Sequence, residues 1–428
     1  MNIIFIFIVV TAFGISAVKQ WSHPTEAIMQ SVTQALLHSA TDAVTIAIGL
    51  IGVLALFLGF VKILEDAGFI RTLSRLIYPL LRLLFPEIPA NHPALGAMTL
   101  NLSANLLGLG NAATPFGIKA MQALDSLNPH PGTATNAMVL FLAINTSCIT
   151  LLPTKVIALR VEAHSIDPTG IITTTLFATI CSTIVAIAMA KFLERFYTIK
   201  PNATTTNFQT ADTNTISTKV ENTEQTQFSP YPIWVAWFVI LFFITLIPVT
   251  LVWGATFSPW IIPALFVAIV LYGTYKKINV YFSFVEGAKE GFDVAVKIIP
   301  YLVAILAAIS MLRASGALDV FTQFIGKYTA PLGLPAEAIP MVIMRPLSGS
   351  GSFGILTEIY QNPNLGPDSY VGYLVSTIMG CTETTFYVLA VYFGAIQIKR
   401  FRHAIAAALC ADAAGVVASV VAVKYFLG

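Results

Sequence analysis

Charge is what this sequence has least of. Lys, Arg, Asp and Glu make up 10% of the 428 residues, against 56% hydrophobic, and mean hydropathy is +0.79. A soluble domain carries about 25% charged residues, so a large soluble core has too little charged surface here to cover it. Whole windows are empty of charge: nothing ionised at neutral pH lies between Asp167 and Lys191, or between Glu224 and Lys276. Cysteine is scarce too. Cys148, Cys181, Cys381 and Cys410 stand in apolar runs without C-x-x-C spacing, which excludes a disulfide framework and a thiolate zinc site. The histidines form no H-x-x-x-H pair. No P-loop is present. A hydrolase reading of Gly349-Ser350-Gly351-Ser352 lacks a base, because His403 is the only histidine after His164 and sits in a basic loop. No catalytic residue, no metal and no cofactor is therefore expected.

What remains is a set of long apolar runs. About 20 apolar residues cross the hydrocarbon core as a helix. Residues 43–64 and 171–190 are two such runs. Residues 234–252 and 259–275 are two more, and the short link 253–258 predicts that they form a hairpin. Residues 2–18 lack the basic start and small-residue cleavage site of a secretory signal, so they are expected to be a retained helix. The fold class is an all-α polytopic membrane protein. Its net charge of +2 gives no reason to expect nucleic acid.

One stretch is compositionally foreign. Residues 198–230 are rich in Thr, Asn and Gln and poor in aliphatics, the composition of a polar flexible linker. It divides the chain into membrane halves at 1–197 and 231–428. Four landmarks recur in order in the two halves. Ala67-Gly68 matches Ser315-Gly316, and the Pro-Glu-Ile-Pro at 86–89 matches the Pro335 to Pro340 segment. The Gly/Ser/Asn-rich stretch 101–117 matches 345–354, and Asn145-Thr146-Ser147 matches Thr382-Glu383-Thr384. This order predicts two homologous repeats, an architecture common in transporters. Lys62, Arg71, Arg75 and Arg82, then Lys191 and Arg195, Lys276 and Lys277, and the Lys399 to Arg402 run mark cytoplasmic loops by the positive-inside rule. The second repeat's equivalent loop has only Arg313 and Lys327, offset by Asp319, so the repeats are expected to be inverted.

The polar, helix-breaking segments are the candidate site. Asn101, Asn105 and Gly108 recur at i, i+4 and i+7 and share one helix face, with a break expected at 110–115, where Gly110, Asn111 and Thr114 stand. Irregular backbone survives at membrane depth only when buried in protein or lining a wet cavity. In the second half, Arg345 precedes Ser348, Ser350 and Ser352 in a glycine-rich run. Its formal G-x-G-x-x-G, Gly349 to Gly354, has membrane helices rather than a βαβ unit around it. That leaves a nest of amides and hydroxyls beside a cation, suited to an anion. Glu383 is the one charged residue between Asp368 and Lys399. An acid at membrane depth costs about 2.5 kcal/mol or more and marks a substrate, ion or proton pathway. Asp412 and Lys155 make weaker versions of the same case.

These residues resemble a known family. The run from Asn105 through Gly108, Gly110, Asn111, Thr114 and Pro115 to Met121 is similar to spore maturation protein A, as is Phe141 to Ser147. Arg345-Pro346-Leu347-Ser348-Gly349-Ser350-Gly351 and the stretch Thr382 to Gly394 are similar to spore maturation protein B. Together the matches span nearly the whole chain outside the linker, as if the two proteins were fused. The resemblance implies Gate-type, "nucleoside recognition" repeats with broken or re-entrant helices, and a membrane gate rather than a named ligand.

The expected function is a bacterial inner-membrane permease for a small polar, anionic or zwitterionic solute. Asn101, Asn105, Gly110, Asn111, Thr114, Asn145, Thr146, Ser147, Arg345, Ser348, Ser350, Ser352, Thr382, Glu383 and Thr384 are expected to line its site. Arg345 would read the anion and Glu383 would couple a proton or cation. The alternative is a non-transporting assembly factor of envelope or spore maturation. The expected partners are the lipid bilayer and the solute, with a homo-oligomer left open.

Overall fold

A computed structural model of the chain describes residues 2–89, 92–108, 110–147, 150–197, 232, 234–317 and 325–427. The expected linker, 198–230, lies outside the described residues. Among those residues the protein is helical, and β pairing is limited to one bridge between Thr133 and Arg400. The first half comprises α1 (Asn2–Ser22), α2 (Ile28–Asp66), α3 (Phe69–Leu84), α4 (Pro93–Leu106), α5 (Gly110–Asp125), α6 (Asn136–Ser147), α7 (Thr154–Glu162) and α8 (Ile171–Glu194). The second comprises α9 (Trp234–Tyr275), α10 (Val280–Ala314), α11 (Ile339–Leu347), α12 (Gly349–Gln361), α13 (Tyr370–Cys381), α14 (Thr385–Ala395) and α15 (Ala404–Leu427). By length and composition, segments of α1, α2, α8, the α13–α14 pair and α15 suffice to cross a membrane.

The landmarks fall on corresponding elements. Lead helices α2 and α10 end alike. Gly68 and Gly316 take left-handed conformations at φ 70°, and the amides of Ala67 and Ser315 return to Ile63 and Met311. Glycine adopts that conformation without a Cβ clash, which is why it closes helices. Each lead helix is followed by a short helical hairpin (α4–α5, α11–α12), a broken helix (α6–α7, α13–α14) and a final span (α8, α15).

Equivalent helices pack against each other, and they run antiparallel. Gly291 of α10 lies against Ala55 of α2, while Gly287 lies against Leu58 and Lys62, so residue numbers rise on one helix as they fall on the other. A Cβ at Gly291 would sit 2.5 Å from the Ala55 backbone. Small residues allow this approach, the usual way membrane helices associate. The α8–α15 pair behaves likewise: Tyr197 stacks near His403 at 5.6 Å, whereas Ser182 donates to the carbonyl of Ala411 further along.

Two arginine clamps, at opposite ends of α8, tie each half to the other. Arg160, at the end of α7, is fully buried. It donates to Pro367 O (2.6 Å), Ser165 Oγ (2.9 Å), Asp167 O (3.0 Å) and Asp368 Oδ1 (2.9 Å), and its guanidinium lies 4.3 Å from the Tyr373 ring centroid. Thus the first half's broken helix grips the loop that leads into α13. In the second half, Arg402 donates to Ala134 O (3.1 Å) and Asn136 Oδ1 (2.7 Å), gripping the loop that leads into α6, and to the Tyr197 carbonyl. Next to it, the buried His403 imidazole is pushed down to about 4, by burial first and then by the Arg402 charge.

The predicted hairpin at 234–275 does not form. α9 is one helix of 42 residues, helical through 253–258, about 63 Å along its axis. The link holds one glycine, which costs about 1 kcal/mol inside a helix. A turn there would give up intrahelical backbone bonds that the continuous helix keeps. The helix therefore continues, and the hairpin no longer supports the orientation argument. The far end of α9 meets α3, where Tyr272 packs edge-on against Phe69 at 5.3 Å.

Two predictions follow from the clamps. Arg160→Ala leaves the Pro367 and Asp167 carbonyls without this donor, while Asp368 keeps Ser165 and the Ile166 amide, so it should destabilise the protein by about 1–3 kcal/mol, the cost of leaving buried polar groups unsatisfied; thermal unfolding of the detergent-solubilised protein measures this. His403 binds its proton less readily when folded than when unfolded. Stability should therefore fall as pH drops from 6.5 towards about 4, and His403→Gln should flatten that slope.

Candidate functional site

The helix breaks stand where the polar clusters do, though not at the expected residues. In the first hairpin the helix ends at Leu106 and is broken at Leu107 and Gly108, with Gly108 at φ 75°. Gly108 is therefore not on the face that carries Asn101 and Asn105. The expected break at 110–115 is instead the opening of α5. Pro115 has no N–H, so the Asn111 carbonyl, four residues back, loses its helical partner. Gly110 opens α5, the Asn111 side chain lies outside the described residues, and Thr114 is half-buried.

In the second hairpin the break is the single residue Ser348, extended at φ −157°, ψ 117°. The expected nest at Gly349–Gly354 is in fact the first turns of α12. From Ser352 onward the amides bond within the helix, beginning with Ser352 N–H to Ser348 O, whereas the first-turn amides of Gly349 to Gly351 have no intrahelical acceptor. Ser348 Oγ caps it by accepting from the Gly351 amide at 3.0 Å. Ser350 Oγ is 3.5 Å from Ser348 Oγ, while Ser352 Oγ donates to Ser348 O at 2.8 Å.

The two broken helices enter from opposite ends of α8 and cross. The amide of Glu383, in the 382–384 break, donates to the carbonyl of Thr146, in the last turn of α6, at 2.8 Å. Around this contact the expected site residues gather in two clusters.

The first cluster is neutral. Asn105 Nδ2 donates to Asn145 Oδ1 at 2.9 Å, and Asn101 Nδ2 donates to Ala113 O at 2.8 Å. Tyr392, from α14 of the other half, joins them: its hydroxyl accepts from Asn101 at 3.0 Å and donates to Asn145 at 3.4 Å. Its ring stacks on Phe141 at 6.2 Å. Tyr392 was missed in the sequence because a tyrosine in an apolar run looks like lining, with no spacing to mark its partner. Asn101 and Asn145 are buried, and Asn101 Oδ1 has no partner in the described protein.

The second cluster is charged. Arg345, 6% exposed, donates to the Thr382 carbonyl and to Thr384 Oγ1 at 3.4 Å. Its Nη2 stands 3.8 Å from Glu383 Oε2. Its Nε is buried with no partner in the described protein. Glu383 keeps 44% of its side chain exposed. Thr385, just past the break, donates to the buried Asp412 of α15 at 2.7 Å.

Not every candidate faces the crossing. Ser147 is buried, its hydroxyl bonded to Ile144 O and its carbonyl taken by Thr179 of α8. Thr146 offers its carbonyl to the site, while its hydroxyl returns to Ala143 O. Lys155 is exposed at the start of α7. A cavity of about 760 Å³ lies at the other end of α6, lined by Glu87, His130, Asn136, Lys191, Glu194 and Arg402 among others. The 12 residues of α6 separate it from the crossing by about 18 Å.

Comparison with known proteins finds matches in both halves of the chain. A family model described as Gate, nucleoside recognition, matches residues 47–162 and 295–399. The chain is similar to spore maturation protein B of Bacillus subtilis (strain 168), 46% identical over 167 residues, covering 39% of this chain and 93% of that protein. It is also similar to spore maturation protein A of the same organism, 46% identical over 164 residues, covering 38% of this chain and 84% of that protein. No solved structure matches. With matched segments in both halves and both spore maturation proteins represented in one multi-pass membrane chain, the protein belongs to the Gate, or nucleoside recognition, family.

Proposed function

We propose that this protein is a permease of the bacterial inner membrane that carries a small anionic or zwitterionic solute across the crossing of its two broken helices. The observation that carries the reading is Arg345. It is a buried guanidinium with an unpartnered Nε, beside the Glu383 carboxylate at 3.8 Å. A guanidinium has five donors in a planar fork that suits a carboxylate or phosphate. Uncompensated, such a charge at membrane depth is costly and is the usual mark of a pathway.

In this reading Arg345 binds the solute's anionic group, with Ser348, Ser350 and Thr384 beside it. Glu383 releases Arg345 as it takes up a proton or cation. Asn101, Asn105, Asn145 and Tyr392 hold the first half's face of the crossing. The antiparallel pairing of α2 with α10, and of α8 with α15, supports an inverted relation between the repeats, 1–197 and 231–428, joined by the linker 198–230. The basic residues Lys191, Arg195 and Arg402 around the 760 Å³ cavity support a cytoplasmic vestibule there.

A second reading is favoured by the names of the relatives: a membrane factor of spore or envelope maturation that does not itself transport. There the polar clusters would be helix glue. The two readings separate in cells. Metabolite profiles of a deletion strain should show one or a few small anionic or zwitterionic compounds displaced at least several-fold. Wild type should restore them, and Glu383→Gln, present in the membrane at equal abundance, should not. Full restoration by Glu383→Gln ends the coupling role; an unchanged profile on deletion favours the maturation factor.

A further inference from the structure

We propose that Asp412 is a proton-binding residue of the gate, set behind the break that Glu383 occupies and acting on it through Thr385. Asp412 is the ninth residue of the 24-residue α15, about 12 Å in from the start of that helix. It is 6% exposed. Its Oδ2 accepts from Thr385 Oγ1 at 2.7 Å, and its Oδ1 is buried with no partner in the described protein. No cation stands within ion-pair distance of it among the described residues. An ionised carboxylate in that position has one oxygen neither solvated nor paired, a state that buried charges escape by taking up a proton.

The surroundings are otherwise neutral. α8 packs along α15 and contributes Ser182, and it has no charged residue between Asp167 and Lys191. α6 carries no ionisable residue, and the only ionisable side chains of α9 are Tyr272 and Tyr275 at its far end. From α13 comes the Cys381 thiol, which is hydrogen-bonded to Ser419. Charge reaches Asp412 from Arg345 of α11, while Glu383 is the other acid at the break. On α15 itself, Cys410 is half-buried and Lys424 lies three turns away.

The connection to the break gives the proton a consequence. Arg345 holds Thr382 and Thr384 from one side of Glu383, and Asp412 holds Thr385 from the other. The ionised carboxylate accepts from the Thr385 hydroxyl; the neutral acid accepts less strongly and has its own O–H to place. The proton arrives from solvent on one side and returns to solvent on the other, without any bond in the solute changing. A solute anion on Arg345 removes the positive charge that favours ionised Asp412, so anion and proton enter together. That coupling rests on the permease reading; the proton binding does not.

The test reads the carboxyl group itself rather than flux. Infrared difference spectra are recorded across pH for the full-length protein in lipid nanodiscs, in choline buffer and again in sodium buffer. The wild type should show a protonated-carboxyl carbonyl band that titrates. Asp412→Asn should lose it and Glu383→Gln should keep it. Thr385→Val should move its midpoint to higher pH, and Thr385→Ser should restore it, so this pair decides the matter if Asp412→Asn does not fold. A band that survives Asp412→Asn, or the absence of any titrating band, overturns the proposal. Displacement of the band by sodium at fixed pH reassigns Asp412 to a cation site and overturns it as well. A silent metabolite profile would count against the permease and leave this measurement unaffected.

Discussion

A backbone amide has no water to turn to inside a bilayer, and that constraint shapes this molecule. Each unpaired N–H or C=O there costs several kcal/mol, yet the chain interrupts two spans and folds two hairpins back at depth. It can do so because the interruptions satisfy one another. The Glu383 amide is bonded to the Thr146 carbonyl, and the Leu151 amide to the Leu106 carbonyl at the first hairpin's turn. Arg345 supplies donors to the Thr382 carbonyl and the Thr384 hydroxyl. One of these bonds, from the Glu383 amide to the Thr146 carbonyl, joins the two halves. The clamps at Arg160 and Arg402 serve the same end, since each holds the loop that aims the other half's broken helix at the crossing.

That mutual dependence explains what the sequence disclosed and what it hid. The repeats, the broken spans and the grouping of Arg345 with Glu383 were legible because each rests on a local signal: Ala67-Gly68 against Ser315-Gly316, or a lone acid in an apolar run. Break positions were less legible. Glycine-rich runs such as Gly349–Gly354 suggest loops by aqueous propensities, but in hydrocarbon the internal bonding of a helix outweighs the modest cost of glycine. The same preference carried α9 straight through the expected turn at 253–258. Tyr392 and Arg160 were hidden for a different reason. Their roles depend on partners 291 and 207 positions away in the chain, and no periodicity points to them.

The two halves differ in charge at the crossing. At the crossing, the first half offers amides and a carbonyl, from Asn105, Asn145 and Thr146. The second offers a cation and an acid, Arg345 and Glu383, with a second acid, Asp412, behind them. An exactly repeated second half would have set two arginines and two acids in one small volume, where like charges are costly in a low dielectric. Neutral asparagines opposite the charged set avoid that repulsion and still present both donors and acceptors.

Tyr392 shows why this asymmetry does not make the halves separable. It belongs to the charged half's α14, yet its hydroxyl completes the neutral cluster between Asn101 and Asn145. The helix that carries it starts at Thr385, which is tied to Asp412. The break at 382–384 is thus joined through α14 and Tyr392 to α4 and α6 in the other half. A change in charge at Arg345, Glu383 or Asp412 thus has a continuous mechanical route to the first hairpin. In the permease reading, this contact is where solute binding at Arg345 would reach the first half.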